Sequence, residues 1–333
     1  MNHLALVWNR TALKLRGKTL LWRDRQARLI DGWMKAHNAG DEERAEKLWV
    51  KLNAVSSEEE RSQYQELRDL LLNPEPSPWL AAMGQAHECE ARFDWDGAKA
   101  AYERAAFAEP NAGLESGAWR DLSALHSMLD EDDLALECAA RATEAARRCD
   151  SLSVLAMALG AEASLLLASN PALAREKIAE ELAVLEDESL HDILRMRALI
   201  LRARCAVQEN DLDGAGRELD LVWTQIKKWR NEPFFAGRHG VLAAYWATRS
   251  GLSEKRGDWR RVQKARLEVV EHCRFVASVP QIEGPFKHNN LALALHRAGE
   301  ALQRNNSARA AELFAQSREL RAFIGLGPLK EAS

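Results

Sequence analysis

One short motif occurs twice in this chain and limits what the chain can fold into. From Phe93 the sequence runs F-D-W-D-G-A-K-A-A-Y-E-R-A-A-F, and from Asn210 it runs N-D-L-D-G-A-G-R-E-L-D-L-V. In both copies a turn is followed by Asp, a large apolar residue, Asp, Gly and Ala, and apolar residues then return four and seven positions after the Ala. Residues at those offsets share one face of a helix, and a small first residue lets two helix backbones approach closely. The motif is therefore the start of the second helix of a helical hairpin.

Further copies lie along the chain. Ala98, Tyr102 and Ala105 fill the three places in the first copy, and Ala215, Leu219 and Val222 in the second. The triad also fits Ala45, Trp49 and Leu52; Ala135, Ala139 and Ala142; and Val262, Arg266 and Val269. Weaker copies fall at Ala174 with Ile178 and at Ala310 with Phe314. Prolines fall between these periodic segments or at their starts, as Pro171 does, where a missing N–H costs nothing. Strand-like alternation is rare, and the Ala-, Leu-, Glu- and Arg-rich composition favours helix.

These residues resemble the tetratricopeptide repeat family, whose first helix carries Trp, Leu and a small residue at offsets 0, 3 and 4. Trp119, Leu122 and Ser123 match those places, followed by His126, and Trp246 and Ser250 match two of them. The resemblance spans roughly Trp33 to Arg321. It implies an all-α fold, a right-handed superhelical solenoid of about seven antiparallel helical hairpins. The anchors at 45, 98, 135, 174, 215, 262 and 310 are spaced irregularly, unlike the family's repeat of about 34 residues. The expected organisation is a basic N-terminal segment and hairpin with an extra helix over 1–72, a Pro-rich linker over 73–78, a repeat array over 79–325 and a tail over 326–333. The extra helix is expected at Ser57 to Leu72, opened by a capping box of Ser57 and Glu60.

Charge divides the chain into three parts. Met1 to Ile30 carries 7 basic residues against 1 acid, Asp31 to Leu194 carries 15 against 34, and Arg195 to Ser333 carries 24 against 15. An acidic middle with basic ends predicts salt-sensitive self-association or distinct electrostatic neighbours. The five cysteines form no CxxC pair and read as buried thiols of a reducing, cytoplasmic compartment. No window reaches 18 uninterrupted apolar residues, so no membrane span is expected.

No phosphate-cradling glycine loop, nucleophile elbow or zinc motif is present, so no catalytic residue, metal ligand or cofactor is nominated and no enzyme is expected. His272-Cys273 with His288 lacks any metal-site spacing. The acidic clusters at Glu58 to Glu60, Asp130 to Asp133 and Glu186 to Glu188 lie where helices start or end, where carboxylates serve as caps. Among the 11 Trp residues, Trp49, Trp119, Trp246 and Trp259 are expected in the core, while Trp8, Trp22, Trp223 and Trp229 have no assigned repeat place.

A hairpin stack binds on the surface lined by its first helices. The family register, carried onto this chain, implies a partner-binding face formed by His87, Arg120, Asp121, Arg197, Arg204, Asn290 and Arg297. Met83 and His87 stand where chaperone-binding members carry the first two residues of their Lys/Asn/Arg clamp, which disfavours that role. A basic patch of Arg256, Arg260, Arg261 and Lys264, continued by Arg266, begins a second helix against its dipole and calls for compensating contacts. The leading expectation is a non-enzymatic adaptor or scaffold for a protein or peptide segment. The alternatives are a regulatory sensor that responds to a peptide or nucleotide and a helical-repeat nucleic-acid binder; a sequence pI near 6.2 speaks against the latter.

Overall fold

The computed structural model describes residues 29, 32–33, 36, 41–54, 61, 77–108, 111–186, 192–228, 236–279, 284–303 and 305–329. The chain divides into two compact units, 1–77 and 78–333. Most of the expected helix at Ser57 to Leu72, most of the Pro-rich linker, and Trp8, Trp22 and Trp229 lie outside the described residues.

In the first unit, α1 (Glu42–Ala54) buries Ala45, Trp49 and Leu52, the three places of its triad. Trp33 packs on Trp49 with ring centroids 5.3 Å apart. Asp41 accepts a hydrogen bond from the Arg44 N–H at 3.1 Å and so caps the helix.

The second unit is a run of six hairpins among the described residues. They are α2 (Pro78–Ala91) with α3 (Trp95–Phe107), α4 (Ala112–Met128) with α5 (Asp132–Arg147), and α6 (Leu152–Ser169) with α7 (Pro171–Val184). They continue with α8 (Asp192–Gln208) and α9 (Leu212–Lys228), α10 (Ala236–Lys255) and α11 (Trp259–Ser278), and α12 (Phe286–Leu302) and α13 (Ser307–Phe323). Each helix packs on its successor, and α4, α6, α8 and α10 also pack on one another in a row. These four first helices therefore form an inner layer.

The recurrent motif is a turn with two parts. The chain leaves α2 through Phe93 at φ 60°, α4 through Asp130 at φ 61°, α8 through Asn210 at φ 63° and α10 through Gly257 at φ 73°. In each case the N–H of the next residue reaches back five residues, as Asp94 N–H does to Cys89 O at 2.9 Å and Asp211 N–H to Ala206 O at 2.8 Å. This left-handed exit satisfies carbonyls that the helix end would leave open. In three of these turns the next residue also caps the following helix: Asp94 accepts from Gly97 N–H at 3.0 Å, Asp211 from Gly214 N–H at 2.9 Å and Asp258 from Arg261 N–H at 3.1 Å. The glycine of the motif follows from this geometry. A Cβ on Gly97 would stand 2.2 Å from Asp94 Oδ2, and one on Gly214 would stand 2.0 Å from Asp211 Oδ2.

Packing within hairpins trades volume between facing helices. Ala98, Ala105, Ala135, Ala139, Ala142, Ala215, Leu219 and Val222 are all 0–1% exposed. At two hairpins a glycine of the first helix faces a large side chain of the second. Gly299 in α12 faces Phe314 in α13, whose ring would lie 2.7 Å from an added Cβ, and Gly160 in α6 faces Glu181 in α7. Dense interiors leave no slack for both partners to be large.

The array returns on itself. Phe323 at the end of α13 lies edge-on to Phe93, with centroids 5.7 Å apart, and Gly325 lies against Phe93 and Trp95. Arg321, 4% exposed, donates to Asn289 Oδ1 at 3.1 Å and to the Gly327 carbonyl, and faces Asp130 at 3.8 Å.

Among the described residues one helix, Leu152–Ser169, has the length and composition of a membrane span, with mean hydropathy 1.8. In the array it is an inner helix in contact with α4, α5, α7 and α8, and its Glu162 is buried and paired with Lys177 at 2.8 Å. Trp259 departs from its expected core place. It is the first residue of α11 and 48% exposed, because the buried face of that helix begins at Val262.

Candidate binding face

The expected binding residues fall into three environments. His87 on α2 is tied to buried neighbours: its Nδ1 lies 3.4 Å from Glu90 Oε2, and its ring stands edge-on to Tyr102, whose hydroxyl donates to Glu90 Oε1 at 2.8 Å. Asn290 and Arg297 on α12 are exposed, and Arg297 pairs with Glu300 at 3.2 Å.

The third environment joins residues distant in sequence. Arg120 on α4 lies against Met157 on α6, Nη1 to Sδ 3.5 Å, and its Nη2 lies 3.3 Å from Asp121 Oδ1. Arg120 and Glu181 both act electrostatically on Arg197 of α8, so α4, α7 and α8 bring these charges to one place beside Met157 and Gly160. Arg197 is solvent-accessible, yet the surrounding protein desolvates its guanidinium and holds its pKa below the ordinary arginine value; Glu181 opposes this and Arg120 adds to it. Arg204, two turns further along α8, is likewise accessible and likewise lowered, first by desolvation.

Glu181 was hidden in the sequence. It occupies the third triad place after Ala174 and Ile178, where the full triads carry Leu, Ala or Val. It is 2% exposed, its Oε2 has no hydrogen-bond partner, and burial pushes its pKa up to about 8 against the opposing field of Arg197. At neutral pH it is a carboxylic acid, because an isolated buried carboxylate is costly. The only sequence signal for it is a charged residue at a place that requires a small apolar one.

The basic patch separates into structural and free cations. Arg256 donates to the Leu212 carbonyl at 2.9 Å and to Asp213 at 3.1 Å, and Arg261 pairs with its capping Asp258 at 3.1 Å. Arg266 takes a triad place and bridges Ser250 at 3.0 Å, Glu254 at 3.1 Å and the Arg297 carbonyl at 3.1 Å. These are the contacts that offset cations at a helix start. Arg260 and Lys264 are exposed and make no ion pair within the described residues. His272 faces His239, Nδ1 to Nδ1 3.0 Å, whereas the ring of His288 faces Phe323 at 5.7 Å.

Of the Trp residues without an assigned place, Trp223 is half-buried and stacks on Tyr245 with centroids 5.2 Å apart. The hydroxyl of Ser123 donates to the Ala135 carbonyl at 2.7 Å across its hairpin, at the small-residue place of α4.

Triads are buried on α3, α5, α7 and α9, whereas α11 buries Val270 in place of Val269 and α13 buries Leu313 in place of Phe314. The fold is tetratricopeptide-like. A crystal structure of a tetratricopeptide repeat protein from Parabacteroides merdae is similar, with 16% sequence identity over 91% of this chain and 96% of that one and a TM-score of 0.47. No family model matches the sequence, and no curated protein matches it.

Proposed function

We propose that the array over 78–333 is a non-enzymatic binding module, an adaptor or scaffold that holds a protein segment along the inner layer of α4, α6, α8 and α10 and its continuation on α2 and α12. The observation that carries this reading is the row of inner helices α4, α6, α8 and α10, which carries the water-accessible Arg120, Arg197 and Arg204. His87, Asp121, Asn290 and Arg297 extend the same face. The five cysteines are free thiols, which supports a reducing, cytoplasmic compartment in this reading.

The test is a photo-crosslinking amino acid at position 204 on the inner face and, separately, at position 221, where Leu221 is 56% exposed on a second helix. Crosslinked protein from cells of the native source at 204 and not at 221 is the expected result. Equal labelling at both positions would sink the reading.

A second reading, a sensor that changes shape on binding, is favoured by the contact of the last hairpin with the first two. Its signature is a ligand-dependent change in scattering radius. Self-association between the acidic middle and the basic ends is a further arrangement, tested by sedimentation at two salt concentrations.

A further inference from the structure

Two histidines 33 residues apart are aimed at each other across one hairpin. His239 lies on α10 and His272 on α11, and their rings are 5.0 Å apart at the centroids but 3.0 Å apart at Nδ1, so the nitrogens face one another. Phe275, three residues beyond His272 on the same face of α11, lies 4.1 Å from the His239 ring at an interplanar angle of 31° and fixes its tilt. Both histidines are partly exposed, so water and small ions reach them.

A single N–H···N bond joins two neutral rings in this pose, one donating and the other accepting. The same pose suits two ligands of one metal ion. Nitrogens held at about 2.0–2.1 Å around a tetrahedral centre stand about 3.3 Å apart, so a small separation of the rings lets a cation take the place of the shared proton. That proton moves through water to Nε2 of its own ring, and both rings stay neutral. Burial lowers the pKa of both histidines, as does the charge of Arg238, so each offers a lone pair at pH 7. Arg238 opposes a cation here, whereas Glu271, which also pairs with Arg274 at 3.1 Å, favours one at His272.

We infer that His239 and His272 form a two-nitrogen site for a divalent transition-metal ion of the zinc class, clasping α10 to α11. This inference does not rest on the protein-binding reading above. Imidazole nitrogen selects such ions over Mg2+ and Ca2+, which take oxygen. Cys273, although next to His272 in sequence, packs with Val270, Leu291 and Leu295 in another core and is no ligand. Among the described residues no group of three His, Cys, Asp or Glu comes together, so the ion keeps positions for water or an exchangeable small ligand.

The experiment uses the tag-free full chain, stripped of metal and kept reduced, and follows ZnCl2 by calorimetry and CoCl2 by visible absorption. One equivalent of Zn2+ is expected to bind, MgCl2 is expected to give no heat, and the Co2+ complex should lack a thiolate charge-transfer band. His239→Gln and His272→Gln should each weaken Zn2+ binding at least about tenfold, a loss that even an outer partner of a metal ligand can bring. His288→Gln, whose ring faces Phe323 instead, should retain it. Zn2+ should also raise the thermal midpoint of the wild type and not those of the His239 and His272 variants, because the ion binds only the folded hairpin. Zn2+ binding unchanged in either of those variants, a thiolate band with Co2+, or no uptake at all would each overturn the inference, the last leaving the pair as a hydrogen bond alone. The wild-type titration and the Co2+ spectrum decide the matter even where a variant fails to fold.

Discussion

Phe93 keeps a left-handed backbone, φ 60°, while its ring meets the edge of Phe323 from the far end of the array at 5.7 Å. A bulky residue in that region of backbone space costs about 1–2 kcal/mol. Asn210 and Gly257 hold the equivalent turns with residues suited to it. The ring of Phe93 therefore has a role that the turn alone does not require, and its contacts with Trp95 and Phe323 supply one.

Replacing Phe323 by Ala should loosen the closing contact at small cost to the rest, about 1 kcal/mol from the lost aromatic pair. Arg321→Ala should cost more, about 2–4 kcal/mol, since it leaves buried Asn289 and the Gly327 carbonyl unpaired. Amide hydrogen exchange is the readout. Faster exchange in both the 285–290 and 92–96 segments is expected in each variant, and faster exchange at one end only would show that the contact does not couple them.

The capping geometry predicts a reversal of sign. Gly214→Ala should destabilise the wild type because the new methyl meets the Asp211 carboxylate. Asp211→Ala alone should cost about 1 kcal/mol through loss of the cap. In the Asp211→Ala background, Gly214→Ala should stabilise by up to about 1 kcal/mol, since Ala exceeds Gly as a helix former. Denaturant unfolding of the four proteins gives the coupling directly.

Glu181 predicts an unusual dependence of stability on pH. Its folded pKa, near 8, lies above the unfolded carboxylate value, so between them the folded state holds a proton that the unfolded state has released. The contribution of this group is fully favourable below the unfolded value and is lost as pH rises toward 8, at about 1.4 kcal/mol per unit. Glu181→Gln should match wild type near pH 4.5 and exceed it at pH 8 by a few kcal/mol. Parallel wild-type and variant melting curves across that range would refute the assignment.

Gly160 belongs to the same site. A Cβ there would stand 2.9 Å from Glu181 Oε1, so Gly160→Ala should destabilise in the wild type and not in a Glu181→Ala background, where the methyl fills vacated space. Thermal midpoints of the single and double variants measure this.

The repeat was readable because its residues do local work. The Asp-Gly-Ala signal encodes a cap, the room that the cap needs and the close approach behind it, and all three act within a few residues of Asp94 and Asp211. Trp259 was misplaced because a Trp beside a turn resembles a repeat position, whereas the buried face starts three residues later at Val262. Arg266 read as part of a basic patch because its partners, Glu254 and Glu300, come from two other helices. Glu181 and the meeting of Phe93 with Phe323 were out of reach for the same reason. Each depends on the small rotation added at every hairpin, which the sequence does not display.

The return of α13 onto the turn at Phe93 changes how such a chain folds. Open arrays behave as a one-dimensional series in which each hairpin feels only its neighbours, so partial unfolding can begin at either end and spread. With residue 323 against residue 93, the two ends share a contact of very long sequence separation. That contact forms last, slows the final step of folding and removes the two free ends from which fraying would start. The expected unfolding of 78–333 is then closer to one cooperative transition than to the stepwise loss of hairpins.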